Sequence, residues 1–580
     1  MTRRILPRVA DWAAIVALCA AGLLLVLKTG SRGFFPFDQS IIFDGSYRIV
    51  SGQIPYKDFV MPFGPVTFWL QAIFFKFMGV TYFAYVFGAA AVNALAVLAA
   101  VAIVRLLFRG ERLLSYVAGI LTAVWFYPPF GTPWVDQTAF FLSYCGIVAL
   151  LAAIGEGGLD QRSPARRPRR QTAFLAIAGV LAFLSILGKQ NAGTFMLPAY
   201  PVLIAVAYRS DLRRAARALA IFAGGLCASL SGFIIWLLVA SDISIFNRYV
   251  IAMPSELGRE RLTAFIRMGL GFFKSYFGPR APLPINVTVA VAFAATILAM
   301  VVARRKGRSL REAADSVRFE HIERIYLAGA VGIYLTFFQY LFMNSTLNQQ
   351  ANAYAFLGPI VAIAAGVGLR TGAKPDAEAA GKDGGGEKAV RGRADRRLKA
   401  VVWIAVALAV GFGVKDGAEV GMSRMVQDIY EDGRFDVRLD IEGLESLRWQ
   451  DPMVLRGFDV YANDLTRLVA YLREARQNFF EFPDFTILYG ILGVPSPQPL
   501  LWFHEGVTFP EGGDPDLDSW IVRDLEKNRV GIVVIEQVAW LKTGERLDAF
   551  PKLKSYIYGN FQRLGQMGIF AVYAKAKPES

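Results

Sequence analysis

Long apolar runs alternate along the chain with short polar stretches, most of them basic. Runs of spanning length fall near residues 11–28, 82–107, 114–130, 137–154, 172–188, 192–208, 217–240, 284–303, 324–343, 351–369 and 400–415. A hydrocarbon core asks for about 20 apolar residues per helix, so these runs predict about eleven transmembrane helices. The basic segments test the count. "TRR" precedes the first run, and "RLLFRGER", "RSPARRPRR", "RSDLRRAAR", "ARRKGRSLRE" and "GKDGGGEKAVRGRADRRLK" follow the second, fourth, sixth, eighth and tenth. Threaded back and forth, the chain puts all of them on one side. Lys and Arg accumulate on the cytoplasmic side of membrane proteins. The alternation therefore predicts a multi-pass protein of the cytoplasmic (inner) membrane with a cytoplasmic N-terminus.

The other side receives residues 29–81, "YPPFGTPWVDQ", "LGKQNAG", residues 241–283, "NSTLNQQ" and the tail after 416. Within 29–81, "PVTFWLQAIFFKFMG" reads as a helix lying in the interface, because a spanning helix there would invert every later loop. Residues 1–370 form the transmembrane region, with 29–81 as its first outer loop. Residues 371–399 are rich in Gly, Lys and Asp and read as a flexible cytoplasmic linker, and 400–415 is the last span. The tail, 416–580, changes character. "LTRLVAYLREARQ" and "PDLDSWIVRDLEKNR" have a helical apolar period, while "FTILYGIL", "GIVVIEQV" and "IFAVYAKA" read as buried strands. Strands alternating with helices predict a small extracytoplasmic α/β domain.

Composition agrees with this reading. At 55% hydrophobic residues, 580 residues are too apolar for a soluble chain of this size. The net charge of +15 sits in the gaps between spans, so it is a topology signal and not a nucleic-acid surface. Cys19, Cys145 and Cys227 all lie inside apolar runs and make no disulfide framework. His321 and His504 are far apart, which argues against a His-rich metal site. Carboxylates remain able to hold a divalent cation, and no cofactor is assigned.

Candidate chemistry gathers at the ends of the spans. Asp38 follows "GFFPF" just after the first span, where an ionisable side chain is costly and is often functional. A helix cap or a solvated loop carboxylate is the plainer alternative. Asp44, beside Gly45, reads as a turn residue. In "GQIPYKDF", Gly52 and Pro55 set a turn, Tyr56 suits an interface, and Lys57 and Asp58 make either a surface pair or a phosphate contact. "GKQNAG" joins two spans with almost no loop. It fixes Lys189 on the face opposite the basic clusters, as a phosphate partner or as a snorkelling turn lysine, with Gln190 and Asn191 beside it. Asp136 stands where the fourth span begins and doubles as an N-cap carboxylate.

Together, residues 38–79 carry an Asp, about twenty residues, then "G-x-x-PYKDF", "FGP" and an apolar helix ending in "FMG". This pattern resembles the bacterial membrane-integral GT-C type glycosyltransferases, related to the protein O-mannosyltransferases and the aminoarabinose transferases. The resemblance is strongest over residues 30–80 and weaker at "GKQNAG". It implies a polytopic helical fold with an outward soluble domain. It also implies transfer of a sugar from a polyprenyl-phosphate-linked donor to a lipid, glycan or protein of the envelope. By position, Asp38 matches the loop aspartate that acts in catalysis and Asp136 a second outer-loop acid. Lys189 matches a basic residue near the donor phosphate, and Lys57 and Arg48 are further phosphate candidates. Asp58, Tyr56, Gln190 and Asn191 bind substrate or shape the loop. Gln39 stands where many relatives carry a second acidic residue, which weakens a metal site built from adjacent carboxylates. Two other readings stay open: a transporter or flippase of lipid-linked glycans, and a non-catalytic envelope scaffold.

Overall fold

A computed structural model describes residues 2–255 and 437–576, apart from short stretches at 35, 109–111, 129, 158–166, 210, 452, 455–458 and 538–542. Of residues 256–436 it describes only Leu327 and Val331. The expected spans near 284–303, 324–343, 351–369 and 400–415, and the linker 371–399, lie outside the described residues.

The membrane part is a bundle of helices: α1 (Thr2–Thr29), α4 (Tyr82–Leu107), α5 (Arg112–Trp125), α6 (Val135–Gly157), α7 (Pro168–Gly188) and α10 (Leu212–Ala240). Among the described residues, five stretches are long and apolar enough to cross a membrane: Val9–Thr29, Tyr82–Leu107, Val135–Glu156, Pro168–Gly188 and Leu212–Ala240. Two expected spans come out differently. The run 114–130 gives α5, only 14 residues long, because "YPPFG" cannot continue a helix. The run 192–208 is divided at Leu197–Pro198 into α8 (Gln190–Met196) and α9 (Ala199–Ala207).

Polar staples tie the bundle at both ends. At the basic end, Arg105 of α4 makes a two-pronged pair with Asp11 of α1, at 2.7 and 3.0 Å, and Tyr116 of α5 bonds the same carboxylate. Nearer the other end, Asn93 of α4 donates to the carbonyls of Gly22 in α1 and Ala123 in α5 and accepts from the Tyr127 amide. A single amide thus ties α4 to α1 and to the end of α5, where the Ala123 carbonyl and the Tyr127 amide would otherwise lack partners in apolar surroundings.

The segment 29–81 is more ordered than its sequence suggests. It contains α2 (Pro36–Val50) and α3 (Val66–Met78). At 13 residues, α3 is about 20 Å long, too short to cross a bilayer, and it leaves Ile73 and Phe77 exposed. Asp44 is therefore not in a turn. It lies buried inside α2, one helical turn from Arg48. After α10 the chain runs through α11 (Ile243–Phe246) and a short π-helix, Asn247–Ala252.

The C-terminal part opens with two small antiparallel ladders, β1 (Val437–Arg438) with β2 (Arg448–Trp449) and β3 (Met453–Val454) with β4 (Asp459–Val460). A four-stranded mixed sheet follows: β5 (Phe479–Phe482), β6 (Ile532–Glu536), β7 (Phe561–Met567) and β8 (Phe570–Lys575), in the order β5-β6-β8-β7. β5 and β6 are parallel, and the other pairs are antiparallel. The helices are α12 (Ala462–Ala475), α13 (Ile487–Leu492), α14 (Pro515–Lys527), α15 (Thr543–Asp548) and α16 (Pro551–Asn560). α14 starts where the sequence signals it, with Pro515 in the first turn and the Asp514 carboxylate accepting from the Asp516 and Leu517 amides. "FTILYGIL" is not a strand. Its core is α13, stopped by Gly493 in the left-handed region, and the strand of this region is "FFEF" just before it. Ile487 through Ile491 are all buried, so the segment lacks the polar face that marks a helix in sequence.

The α/β unit is docked on the bundle. Gly33 donates to the Arg448 carbonyl and Arg448 to that of Ser31; Val60 donates to Pro499, and Tyr82 to Gly443. Phe34 packs edge-on against Phe485, and Phe63 stacks on Trp502. One apolar core runs without a break from the helix bundle through α2 into Phe479, Leu488 and Tyr489.

Candidate active site

Three of the residues singled out in the sequence come together where the bundle meets the α/β unit. Asp136 occupies the first turn of α6, and Lys189 is the extended residue between α7 and α8. The Lys189 ammonium donates to both carboxylate oxygens of Asp136, at 2.8 and 2.7 Å. Both side chains are largely buried. Just below, Ser185 donates to the Ala139 carbonyl at 2.7 Å and lies 2.8 Å from the Ser143 hydroxyl, which fixes α7 against α6. The ion pair thus stands on a rigid seam.

Asp38 lies in the first turn of α2, within electrostatic reach of both Lys189 and Asp136. Burial pushes its carboxyl up to about 7; Lys189 opposes the rise and Asp136 adds to it. The next residue, Gln39, is buried, and its carbonyl accepts from the Tyr85 hydroxyl of α4 at 2.9 Å. The arrangement is a carboxylic acid poised near neutrality beside a cation clamped by a second carboxylate.

The other expected site residues shape this region. Tyr56 has a left-handed backbone (φ 61), is fully buried, and its hydroxyl donates to the Phe63 carbonyl. Asp58 accepts from the Ile54 amide at 2.7 Å and closes the turn on which Lys57 is exposed. Gln190 donates to the carbonyls of Pro62 and Val250 at 2.6 and 2.8 Å, fastening the α7–α8 junction to the segment before α3 and to the π-helix after α11. Asn191 is exposed and accepts from the Ala192 amide.

Arg48, a further phosphate candidate, is engaged by protein groups. It is completely buried, and its guanidinium is engaged by Asp44, Gln498, Ser496 and Leu500. Sequence reading missed this network, although Asp44 and Arg48 stand four residues apart among Ile41, Ile42, Phe43 and Tyr47, a helical spacing.

Among the described residues, no three His, Cys, Asp or Glu side chains gather in a way that would hold a metal ion. Asp136, the other carboxylate of this cluster, is paired with Lys189.

No family model matches the chain, and no curated protein matches it. Solved structures do. The crystal structure of ArnT from Cupriavidus metallidurans bound to undecaprenyl phosphate aligns over 97% of this chain and 97% of its own length, with TM-score 0.50 and 14% identity. The apo oligosaccharyltransferase of Archaeoglobus fulgidus aligns over 97% of this chain and 75% of its own, with TM-score 0.44 and 13% identity, a level that adds nothing to the assignment. The likeness to ArnT concerns the fold: the chain is a polytopic helical membrane protein folded as ArnT is.

Proposed function

We propose that this protein moves a sugar from a polyprenyl-phosphate-linked donor to a hydroxyl of an envelope lipid, glycan or protein. The observation that carries the reading is the meeting of Asp38, Asp136 and Lys189, which come from segments about 150 residues apart in sequence, at one end of an apolar helix bundle. The ArnT structure of the same fold holds undecaprenyl phosphate, which supports a polyprenyl phosphate as the ligand here. The basic segments around 105–112, 167–170 and 209–217 fall at the opposite end, which supports an extracytoplasmic site and α/β unit and a cytoplasmic N-terminus.

The chemistry follows from the residues. Asp38 takes the proton of the acceptor hydroxyl. The hydroxyl oxygen attacks the anomeric carbon, the bond from that carbon to the phosphate oxygen breaks, and its electron pair leaves with the polyprenyl phosphate. A general base works best with a pKa near the operating pH, and the half-buried Asp38 meets that condition. Lys189 stabilises the charge on the departing phosphate, which displaces an Asp136 oxygen from the ammonium. Asp136 holds the ammonium in place until then. A single displacement of this kind inverts the anomeric centre. The donor's hydrocarbon chain lies along the apolar helices, which is why the site stands at the edge of a membrane.

The test is transfer of a radiolabelled sugar from a polyprenyl-phosphate donor in membranes carrying the wild type or Asp38→Asn at equal amounts. Loss of about 100-fold or more is expected for removal of a general base. Full transfer by the variant sinks Asp38 as the base. Movement of intact donor across the membrane without covalent transfer speaks for a transporter instead.

A further inference from the structure

We propose that Arg48 is a positioning residue that locks α2, and Asp38 with it, to the 496–500 loop of the α/β unit, so that this unit is part of the transferase site and not an appendage. The inference rests on the role given to Asp38 above.

The guanidinium is used at all three nitrogens. Nε donates to Asp44 Oδ2 at 2.9 Å, Nη1 to the Gln498 carbonyl at 2.5 Å, and Nη2 to Ser496 Oγ at 2.5 Å and the Leu500 carbonyl at 2.9 Å. Asp44 and Arg48 are both fully buried. A buried ion pair is weak as a source of stability but strong as a register device, because any other alignment strands a charge in apolar surroundings. The planar fork of arginine makes that alignment directional. Here it selects one placement of α2 against a loop about 450 residues away.

The surroundings are built for close approach. A Cβ on Gly45, in α2, would lie 2.5 Å from the Phe68 ring and 3.2 Å from Leu501 Cδ1. A Cβ on Gly490, in α13, would lie 2.7 Å from Phe43 Cε1 and 3.2 Å from Tyr47 Cγ. Gln53 also donates to the Ser496 carbonyl, and Val60 to that of Pro499. α2 is thus gripped along its length between α3 and the α/β unit. Its first turn carries Asp38 opposite Asp136 of α6, Lys189 of the α7–α8 junction and Tyr85 of α4. A helix of 15 residues is rigid enough for a lock at its last turn to set the aim of its first. Misplacing a reacting group by about 1 Å costs on the order of 100-fold in rate.

The experiment measures kcat, donor KM and the pH dependence of kcat for the full-length protein in membranes, comparing wild type, Arg48→Met and Arg48→Lys. Arg48→Lys keeps a cation for Asp44 but loses the fork, so it supplies the measurement if Arg48→Met does not accumulate. Expected for the variants are a kcat lower by about 10-fold to 100-fold, an almost unchanged donor KM, and an acid limb of the kcat profile moved down as Asp38 gains water. A purely structural arginine lowers the amount of protein and leaves the limb in place, and that result overturns the proposal, as does a wild-type kcat. Asp38→Asn is run alongside. Abolished transfer there with wild-type behaviour of Arg48→Lys overturns the lock alone. Transfer that survives Asp38→Asn overturns the base assignment and the lock with it.

Discussion

Lys189 and Asp136 stand 53 residues apart in sequence, yet the ammonium reaches both oxygens of the carboxylate, at 2.8 and 2.7 Å. A two-pronged, largely buried pair couples its members, so changes at the two positions are not independent. Asp136→Asn is expected to raise the donor KM and lower kcat/KM, because the ammonium is no longer held where the phosphate departs. Lys189→Met removes the cation itself and costs more. The double variant is expected to be no worse than Lys189→Met, with a coupling of about 0.5–3 kcal/mol in the kcat/KM cycle. Strictly additive effects would show that the pair does not act as a unit in transfer.

Asp38 gives the reaction a pH dependence of known sign. Burial holds its proton up to about pH 7, and only the ionised form accepts the proton of an acceptor hydroxyl. Transfer is therefore expected to rise with pH through about 7 and then level off. Stability moves the other way. Between the ordinary carboxylate range near 4 and about 7, the unfolded chain has released this proton and the folded chain has not, so the contribution of Asp38 falls as pH rises. Rate profiles of the wild type from pH 5 to 9 check the first point. A flat profile would remove Asp38 from the proton-transfer step.

What the sequence made legible divides along physical lines. The spans of α1, α4, α6, α7 and α10 were readable because bilayer crossing imposes length and apolarity, both local properties. α2 was not, since Gly45 and three charged residues in 15 mimic a loop, and what buries them belongs to the far end of the chain. "FTILYGIL" misled for the opposite reason: it is buried on all sides, so period carries no information. Asp38, Asp136 and Lys189 were each visible as ionisable groups at a membrane face. Their meeting was not, because it depends on how α2, α6 and the α7–α8 junction pack. Arg48 read as a phosphate candidate, because nothing local in the sequence shows that Ser496, Gln498 and Leu500 are brought to it.

Gly64 is expected to tolerate no side chain. A Cβ there would lie 2.1 Å from the Leu187 carbonyl oxygen, two residues before Lys189. Backbone cannot yield cheaply, so Gly64→Ala must push the α7–α8 junction away from the segment before α3. Overpacking of this kind costs about 1–3 kcal/mol. Because the displaced carbonyl adjoins the Lys189 seam, transfer should fall more than the loss of folded protein explains. Activity per folded molecule in detergent, with melting followed in parallel, separates the two. Unchanged specific activity would mean that the junction is not coupled to the site.

Glu481 offers a test on the α/β unit. It is fully buried on β5, beside Glu536 of β6. Burial raises its pKa well above the ordinary glutamate range, and the neighbouring Glu536 raises it further. Glu536 cannot relieve it by turning away, because one of its oxygens accepts from the Asp484 and Phe485 amides at 2.9 and 2.8 Å. The folded state therefore keeps a proton that the unfolded chain releases above about pH 4.5. By linkage, stability falls as pH rises from there until the folded group titrates. Glu481→Gln keeps the shape, donates a hydrogen bond without a proton to lose, and removes that dependence. The variant is expected to melt higher than the wild type at pH 8, by an amount worth about 1–3 kcal/mol, and to approach it near pH 4.5. The measurement is the melting temperature of the full-length detergent-solubilised protein across that range. Asp38, Asp44 and Asp484, also raised, are common to both proteins, so the comparison isolates Glu481. Equal wild-type and variant melting at pH 8 would mean that Glu481 ionises at no cost, which its burial beside Glu536 rules against.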